Sequence, residues 1–160
     1  MNKTLIALSV ACLGMTLSAQ SMAASSTLET VKARGQLICG VNTAAPGFAS
    51  VDSKGNWTGL DVDVCRAVAA ATLGDASKVK FVPLSSPQRF TALQAGEIDM
   101  LARNTSWTMN RDTTTGALFT AVTYYDGQGF MVPKRLNVKS AKQLNGATIC
   151  VQSGTSSEKS

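Results

Sequence analysis

Apolar and polar positions along this chain follow two periods. "QLICGVN" and "KVKFVPL" are runs of β-branched and apolar residues bounded by turn formers, which predicts buried strands. Between them, "DVDVCRAVAAATLG" places Val64, Ala67, Val68 and Ala71 at helical spacing. Asp61 and Asp63 fill the first turn of that helix, where carboxylates offset the positive end of the dipole, and Gly74 follows the last turn. "SSPQRFTALQAGEID" predicts a second helix, with Ser86 as N-cap, Pro87 at the first helical position and closure at Gly96. "IDMLARN" predicts a third strand. Ahead of these, residues 27–34 form a short polar helix stopped by Gly35, and "DSKGN" is a turn cluster inside a loop or small hairpin. Strand, helix, strand, helix, strand predicts an α/β domain with a largely parallel sheet.

The pattern changes after residue 116. "FTAVTYYDGQGFMVPK" reads as a long extended segment, interrupted by Gly127 and Gly129, that can bridge two lobes. "SAKQLNG" then predicts a short helix capped by Ser140 and ended by Gly146, and "ATICVQ" a strand opening a second α/β unit. "SGTSSEKS" reads as the start of another helix, so the chain is expected to continue beyond Ser160. At the other end, Lys3, an apolar run over residues 5–17 and Ser21-Met22-Ala23 have the layout of a secretory leader cleaved after Ala23. The apolar run is short against the roughly 20 residues a bilayer core requires. Lipid attachment at Cys12 is the rival processing, although the apolar run continues past it.

Composition narrows the chemistry. The formal charge is +5, and losing Lys3 with the leader leaves 14 basic against 10 acidic residues. Those charges are dispersed, with no basic block or aromatic-interleaved stripe, so no nucleic-acid partner is expected. Histidine is absent, which removes the commonest general base and any Ser-His-Asp triad. No phosphate-cradling glycine loop is present: Gly127 and Gly129 lack the third glycine and the following helix. Cys39, Cys65 and Cys150 are too widely spaced for a metal cluster, and no cofactor is expected. Cys39 in the first strand and Cys65 in the first long helix lie on elements expected to pack together. They are a disulfide candidate in an oxidising compartment, with two buried free thiols as the alternative.

"RNTSWTMNRDTTTG" leaves the carboxyl end of the third strand, the rim at which open α/β sheets present ligand sites. Thr108 can cap a short helix whose third residue is Arg111. A guanidinium there offers a planar fork to a carboxylate, bidentate and charge-assisted; a surface ion pair with Asp112 is the other reading. Trp57 and Trp107 read as packing or pocket-edge residues, and Asp99 is ambiguous.

"GLDVDVCRAVAAA", "RFTALQAGEIDML" and "NTSWTMNRDTTTGALFT", in this order and spacing, resemble the substrate-binding proteins of ABC transporters for polar amino acids. "GNWTGLDVDVCRA", "RNTSWT" and "YYDGQGFMV" look most like the general L-amino-acid-binding subfamily. The resemblance implies a two-lobe type II periplasmic binding fold: a leader at 1–23, lobe one at 25–125 and nearly complete, a hinge crossing at 126–132, and the start of a truncated lobe two at 133–160. It implies that Arg111 holds the ligand α-carboxylate with Ser106 beside it, and that Asn104 faces the α-amino group. Thr155 and Ser156 match a helix N-terminus of lobe two that also receives the carboxylate. Relatives often carry an acid and an aromatic after the first strand, where this chain has Asn42 and Ala45, so a roomier pocket is expected. Arg103 replaces a small hydroxyl residue; it either welcomes acidic side chains or points to solvent. The implied function is extracytoplasmic capture of free L-amino acids by a monomer that delivers them to a membrane permease. Enzymes and receptor sensing domains built on the same lobes are the alternatives. N-terminal sequencing of the secreted protein tests the leader: a start at Ala24 is expected, and a start at Cys12 contradicts it.

Overall fold

The computed structural model describes residues 26–160; the expected leader, 1–23, lies outside them. The centre is strand β1, Leu37–Asn42. Strand β4, Val79–Leu84, runs parallel along one side of it, from Leu37 opposite Val79 to Asn42 opposite Leu84. Strand β5, Met100–Leu101, runs parallel along the other side, pairing Cys39 with Met100 and Gly40 with Leu101. The sheet order is therefore β4-β1-β5. A two-stranded hairpin, β2 (Ser50–Val51) and β3 (Trp57–Thr58), stands apart and closes on the Asp52 turn, whose carboxylate accepts the N–H groups of Lys54 and Asn56.

The period of two along β1 divides the core. Cys39 and Val41 join Val62, Cys65, Ala49 and Ala102 on the side of helix α2, Leu60–Leu73. Leu37 continues that face toward Val31 of helix α1, Thr27–Arg34, and Ala69 of α2. On the opposite face Ile38 packs with Leu84, Ala92 and Ile98, under helix α3, Gln88–Gln94. A strand covered on both faces reads as a continuous apolar run, and each such side chain contributes about 1.5–3 kcal/mol by leaving water. The sulfurs of Cys39 and Cys65 are bonded, clamping β1 to α2 across a 26-residue separation.

Helix starts and stops follow the capping chemistry in most places. Ser26 caps α1 by accepting the N–H of Glu29, and Gly35 ends it with φ of 70°. The first turn of α2 has no side-chain cap. Instead the N–H groups of Leu60 and Asp61 donate to the carbonyls of Gly47 and Phe48, both at 2.9 Å. That close approach requires Gly59, because a Cβ there would lie 2.4 Å from the Phe48 oxygen. One expected cap is corrected. Ser86 does not cap α3; its hydroxyl accepts from Arg103 at 2.9 Å, and Gln88 holds Ser85 instead. A buried guanidinium outcompetes a helix N–H that water can satisfy.

Beyond the short helix α4, Met109–Thr114, regular structure thins. The expected helix at Ser140 is a 3₁₀ turn, Ala141–Leu144, with a capping box between Ser140 and Gln143. The expected strand "ATICVQ" is not formed, and Ile149 and Val151 are exposed. A strand exists only when a neighbour completes its ladder, and no described segment lies alongside this one. The segment that reads as extended after residue 118 carries no strand either; the Tyr124 ring meets Phe48 edge-on at 5.2 Å.

Gly40 is the tightest point of the sheet: an added Cβ would sit 2.6 Å from Ile98 Cδ1 and 2.9 Å from Leu84 Cδ1. Gly40→Ala is expected to destabilise the full-length protein by about 1–3 kcal/mol in denaturant unfolding. Gly127→Ala, with open space around it, should change nothing measurable.

Candidate ligand-binding site

The carboxyl ends of the three parallel strands converge on one rim. Asn42 closes β1, and its amide donates to the Asn104 side-chain oxygen at 2.7 Å, joining the end of β1 to the loop that leaves β5. Two residues on, the Ser106 hydroxyl meets the Ser156 hydroxyl at 3.1 Å. Thr108 caps α4 by accepting the Arg111 N–H, so Arg111 sits in the first turn of that helix with its side chain turned inward and nearly buried. Its Nη1 donates to the Ser106 carbonyl at 2.9 Å and its Nη2 to the Gly154 carbonyl at 3.3 Å. An ion pair with Asp112 is not formed. The structure thus brings together Asn42, Asn104, Ser106, Arg111 and Ser156. Thr155 lies in the same turn, but its hydroxyl donates back to Gln152 O at 2.7 Å.

Arg103 corrects its expectation. It does not point to solvent: at 5% exposure it turns under the rim, where Nε donates to Leu84 O at 3.1 Å and Nη2 to the Ser86 hydroxyl. It ties the end of β4 to the start of the β5 loop. Asp61, buried in the first turn of α2, accepts the Asn104 N–H from the other side. Burial raises the Asp61 carboxyl above its ordinary range, opposed by that N–H and by the charge of Arg103. Asp99 is also resolved: its carboxylate accepts from Arg34 and from the Ile38 N–H, away from this rim. Trp57 packs on Phe81, and Trp107 stacks on Phe119.

Arg89 completes the site and was missed in the sequence. It is the largest fully buried side chain among the described residues, at 1% exposure. Its Nη2 donates to Gly154 O at 3.1 Å, beside the donation from Arg111. Both guanidinium carbons lie over the Phe90 ring, at 5.2 and 5.4 Å from its centroid. A signal was available: Arg89 stands in the first turn of α3, where the dipole disfavours a cation. A cation kept there needs an anion.

The electrostatics are lopsided. Burial, then Arg111, then Arg103 pull Arg89 down to about 10, and burial lowers Arg103 and Arg111 as well. Among the described residues none of the three forms an ion pair. The buried polar atoms left without partners there are Asp61 Oδ2, Arg89 Nε, Arg103 Nη1 and Thr105 Oγ1. All four belong to residues around this rim. Among the described residues no group of His, Cys, Asp or Glu is arranged to hold a metal, and no helix is long and apolar enough to cross a membrane.

A parallel α/β lobe with its strand ends gathered at one rim has the fold of the type II periplasmic binding proteins. Comparison with known proteins makes this specific. Residues 37–150 match the bacterial extracellular solute-binding proteins, family 3, and the chain belongs to that family. It is 62% identical over 138 residues to the general L-amino acid-binding periplasmic protein of Rhizobium johnstonii, covering 86% of this chain and 40% of that one. It is 62% identical over 136 residues to the glutamate/glutamine/aspartate/asparagine-binding protein of Rhodobacter capsulatus, 85% of this chain and 40% of that one. A solved periplasmic binding protein from Brucella ovis with glutathione bound superposes with a TM-score of 0.78 at 57% identity, over 82% of this chain and 42% of that one. The chain spans about two fifths of the length of these relatives.

A buried cation without a counter-carboxylate opposes folding. Folding disfavours the charged Arg89, whose affinity for its proton falls to about 10, so the cost is present throughout neutral pH and is relieved only as pH rises through that value. Arg89→Met is therefore expected to stabilise the ligand-free full-length protein by about 1–3 kcal/mol in denaturant unfolding. Equal or lower stability would show that the cation is already compensated.

Proposed function

We propose that this protein captures free L-amino acids outside the cytoplasmic membrane and presents them to the permease of an ABC transporter. The observation that carries this reading is the Arg89–Arg111 pair, two buried guanidiniums at the strand rim that converge on one oxygen acceptor. Arg111 takes the α-carboxylate of the ligand in a charge-assisted grip, with the Ser106 and Ser156 hydroxyls beside it. The side-chain oxygens of Asn42 and Asn104 supply acceptors for the α-ammonium. Arg103, engaged on Leu84 and Ser86, holds the loop in place from below. Thr155 and Ser156 belong to the second lobe, residues 126–132 act as the hinge, and closure of the lobes around the ligand is the form the permease recognises. The names of two relatives, a general L-amino acid-binding periplasmic protein and a glutamate/glutamine/aspartate/asparagine-binding protein, support this assignment, and the first supports an exported, periplasmic location.

The surplus of positive charge favours ligands with a second anionic group. Three buried guanidiniums face one buried carboxylate, Asp61, so an acidic amino acid neutralises the site better than a neutral one. Glutathione, bound by the Brucella ovis relative, carries two carboxylates and belongs in the same test.

Calorimetry of the full-length protein against amino acids and glutathione tests the reading. Arg111→Lys is expected to weaken every α-amino acid alike, by about 2–4 kcal/mol, because it touches the shared carboxylate. Arg89→Met should weaken every ligand, because the same carboxylate meets both guanidiniums, and acidic ligands further. Turnover of any ligand, or selective loss of one side-chain class in the Arg111 variant, would contradict the assignment.

A further inference from the structure

The face of the core between β1 and α2 is built from small side chains. Around Cys39 and Cys65, both wholly buried, the cluster consists of Val41, Ala49, Val62 and Ala102, with Trp57, Phe81 and Met100 partly buried at its margin. On the opposite face of the sheet Leu84 and Ile98 supply larger buried groups. Smaller side chains remove less apolar area from water, so the centre of the α2 face gains less from packing alone. The first turn of α2 adds little of its own. It has no side-chain cap, and it carries Asp61, a buried carboxylate whose Oδ2 is unpartnered. A buried charge that is only partly satisfied opposes folding. What fixes this turn is the pair of loop carbonyls at Gly47 and Phe48 and, one turn further on, the Cys39–Cys65 bond. That bond closes residues 39–65 into one loop containing the hairpin β2-β3. Without it, the chain must close a 26-residue separation for contacts among valine and alanine side chains.

We propose that the Cys39–Cys65 bond is a compartment switch: with both thiols reduced the lobe does not hold its packing firmly, and oxidation locks α2 onto β1. Asp61, which accepts the Asn104 N–H, is locked with it. The step is a thiol–disulfide exchange with an external disulfide. One cysteine thiolate attacks the donor and releases one donor thiol; the second attacks the mixed disulfide and releases the other. Two electrons pass from the cysteines to the donor, and the two cysteine protons end on the two donor thiols. Both sulfurs are shut off from solvent in the folded lobe, so exchange takes place before α2 docks, and the finished bond is shielded from reductants. The switch therefore turns once. A chain with reduced thiols stays loose where thiols are kept reduced, and sets after export. The place where it sets rests on the exported location proposed above; the dependence of folding on the bond does not.

Refolding under controlled thiol conditions tests the switch. The full-length protein without its leader is unfolded in guanidinium chloride with dithiothreitol, then diluted either into reduced and oxidised glutathione or into fresh dithiothreitol. Alkylation and peptide mass follow Cys39 and Cys65. With oxidised glutathione the bond and the parent melting temperature are expected to return; the chain kept reduced is expected to melt about 5–10 °C lower. Dithiothreitol added to the folded protein should leave both cysteines unalkylated. Cys39→Val/Cys65→Ala, which refills the space without a bond, should melt with the reduced chain in both buffers. Equal melting temperatures for reduced and oxidised parent would overturn the switch. So would a Cys39→Val/Cys65→Ala variant as stable as the oxidised parent, which would make the pair packing residues only, and ready reduction of the folded protein would overturn its one-way character. None of these readouts uses a ligand, so failure of the transport reading leaves them decisive.

Discussion

Positive charge buried without an acid to match it is the constraint on which this molecule turns. Taking a guanidinium out of water is expensive, and a structure that wanted only stability would pair it or replace it with apolar side chains. Here Arg89 and Arg111 keep main-chain carbonyls for partners, and Arg103 a carbonyl and a hydroxyl. Such donors satisfy geometry but not charge. The imbalance is located at one rim of the sheet, which ties the cost in stability to the capacity to bind an anion.

The fold exists to hold that rim still. A parallel sheet sends every strand the same way, so Asn42, Leu84 and Leu101 all end at one edge and their following loops are neighbours. The loop after β5 is then fixed from three sides: Asn42 holds Asn104 by its amide, Asp61 holds the Asn104 N–H, and Arg103 reaches back to β4. Behind these contacts the Cys39–Cys65 bond and the apolar faces of β1 keep α2, and with it Asp61, in register. Local capping, core packing and site geometry all depend on the same few residues, which is why Gly40 and Gly59 leave no room for a side chain.

Much of this was legible in the residue pattern because it is local. The helices at Thr27–Arg34 and Leu60–Leu73 and the strands at Leu37–Asn42 and Val79–Leu84 follow from periodicity and from glycines placed just past helix ends. The cap of Thr108 follows from its three-residue spacing to Arg111, whereas spacing alone left the Arg111 side chain open between an inward fork and an ion pair with Asp112. What failed to show is nonlocal. Ser86 looks like an N-cap until Arg103, 17 residues away, claims its hydroxyl. Arg89 looks like an ordinary helix residue until its burial and the Gly154 carbonyl, 65 residues on, are seen together. "ATICVQ" has strand composition, but composition supplies no ladder partner.

The central claim is that the two buried guanidiniums, Arg89 and Arg111, are an anion seat. A crystal structure of the full-length protein with L-glutamate tests it most directly. The account predicts ligand carboxylate oxygens within about 2.7–3.0 Å of both guanidiniums. Ligand bound elsewhere, with both arginines still on Gly154, would contradict it.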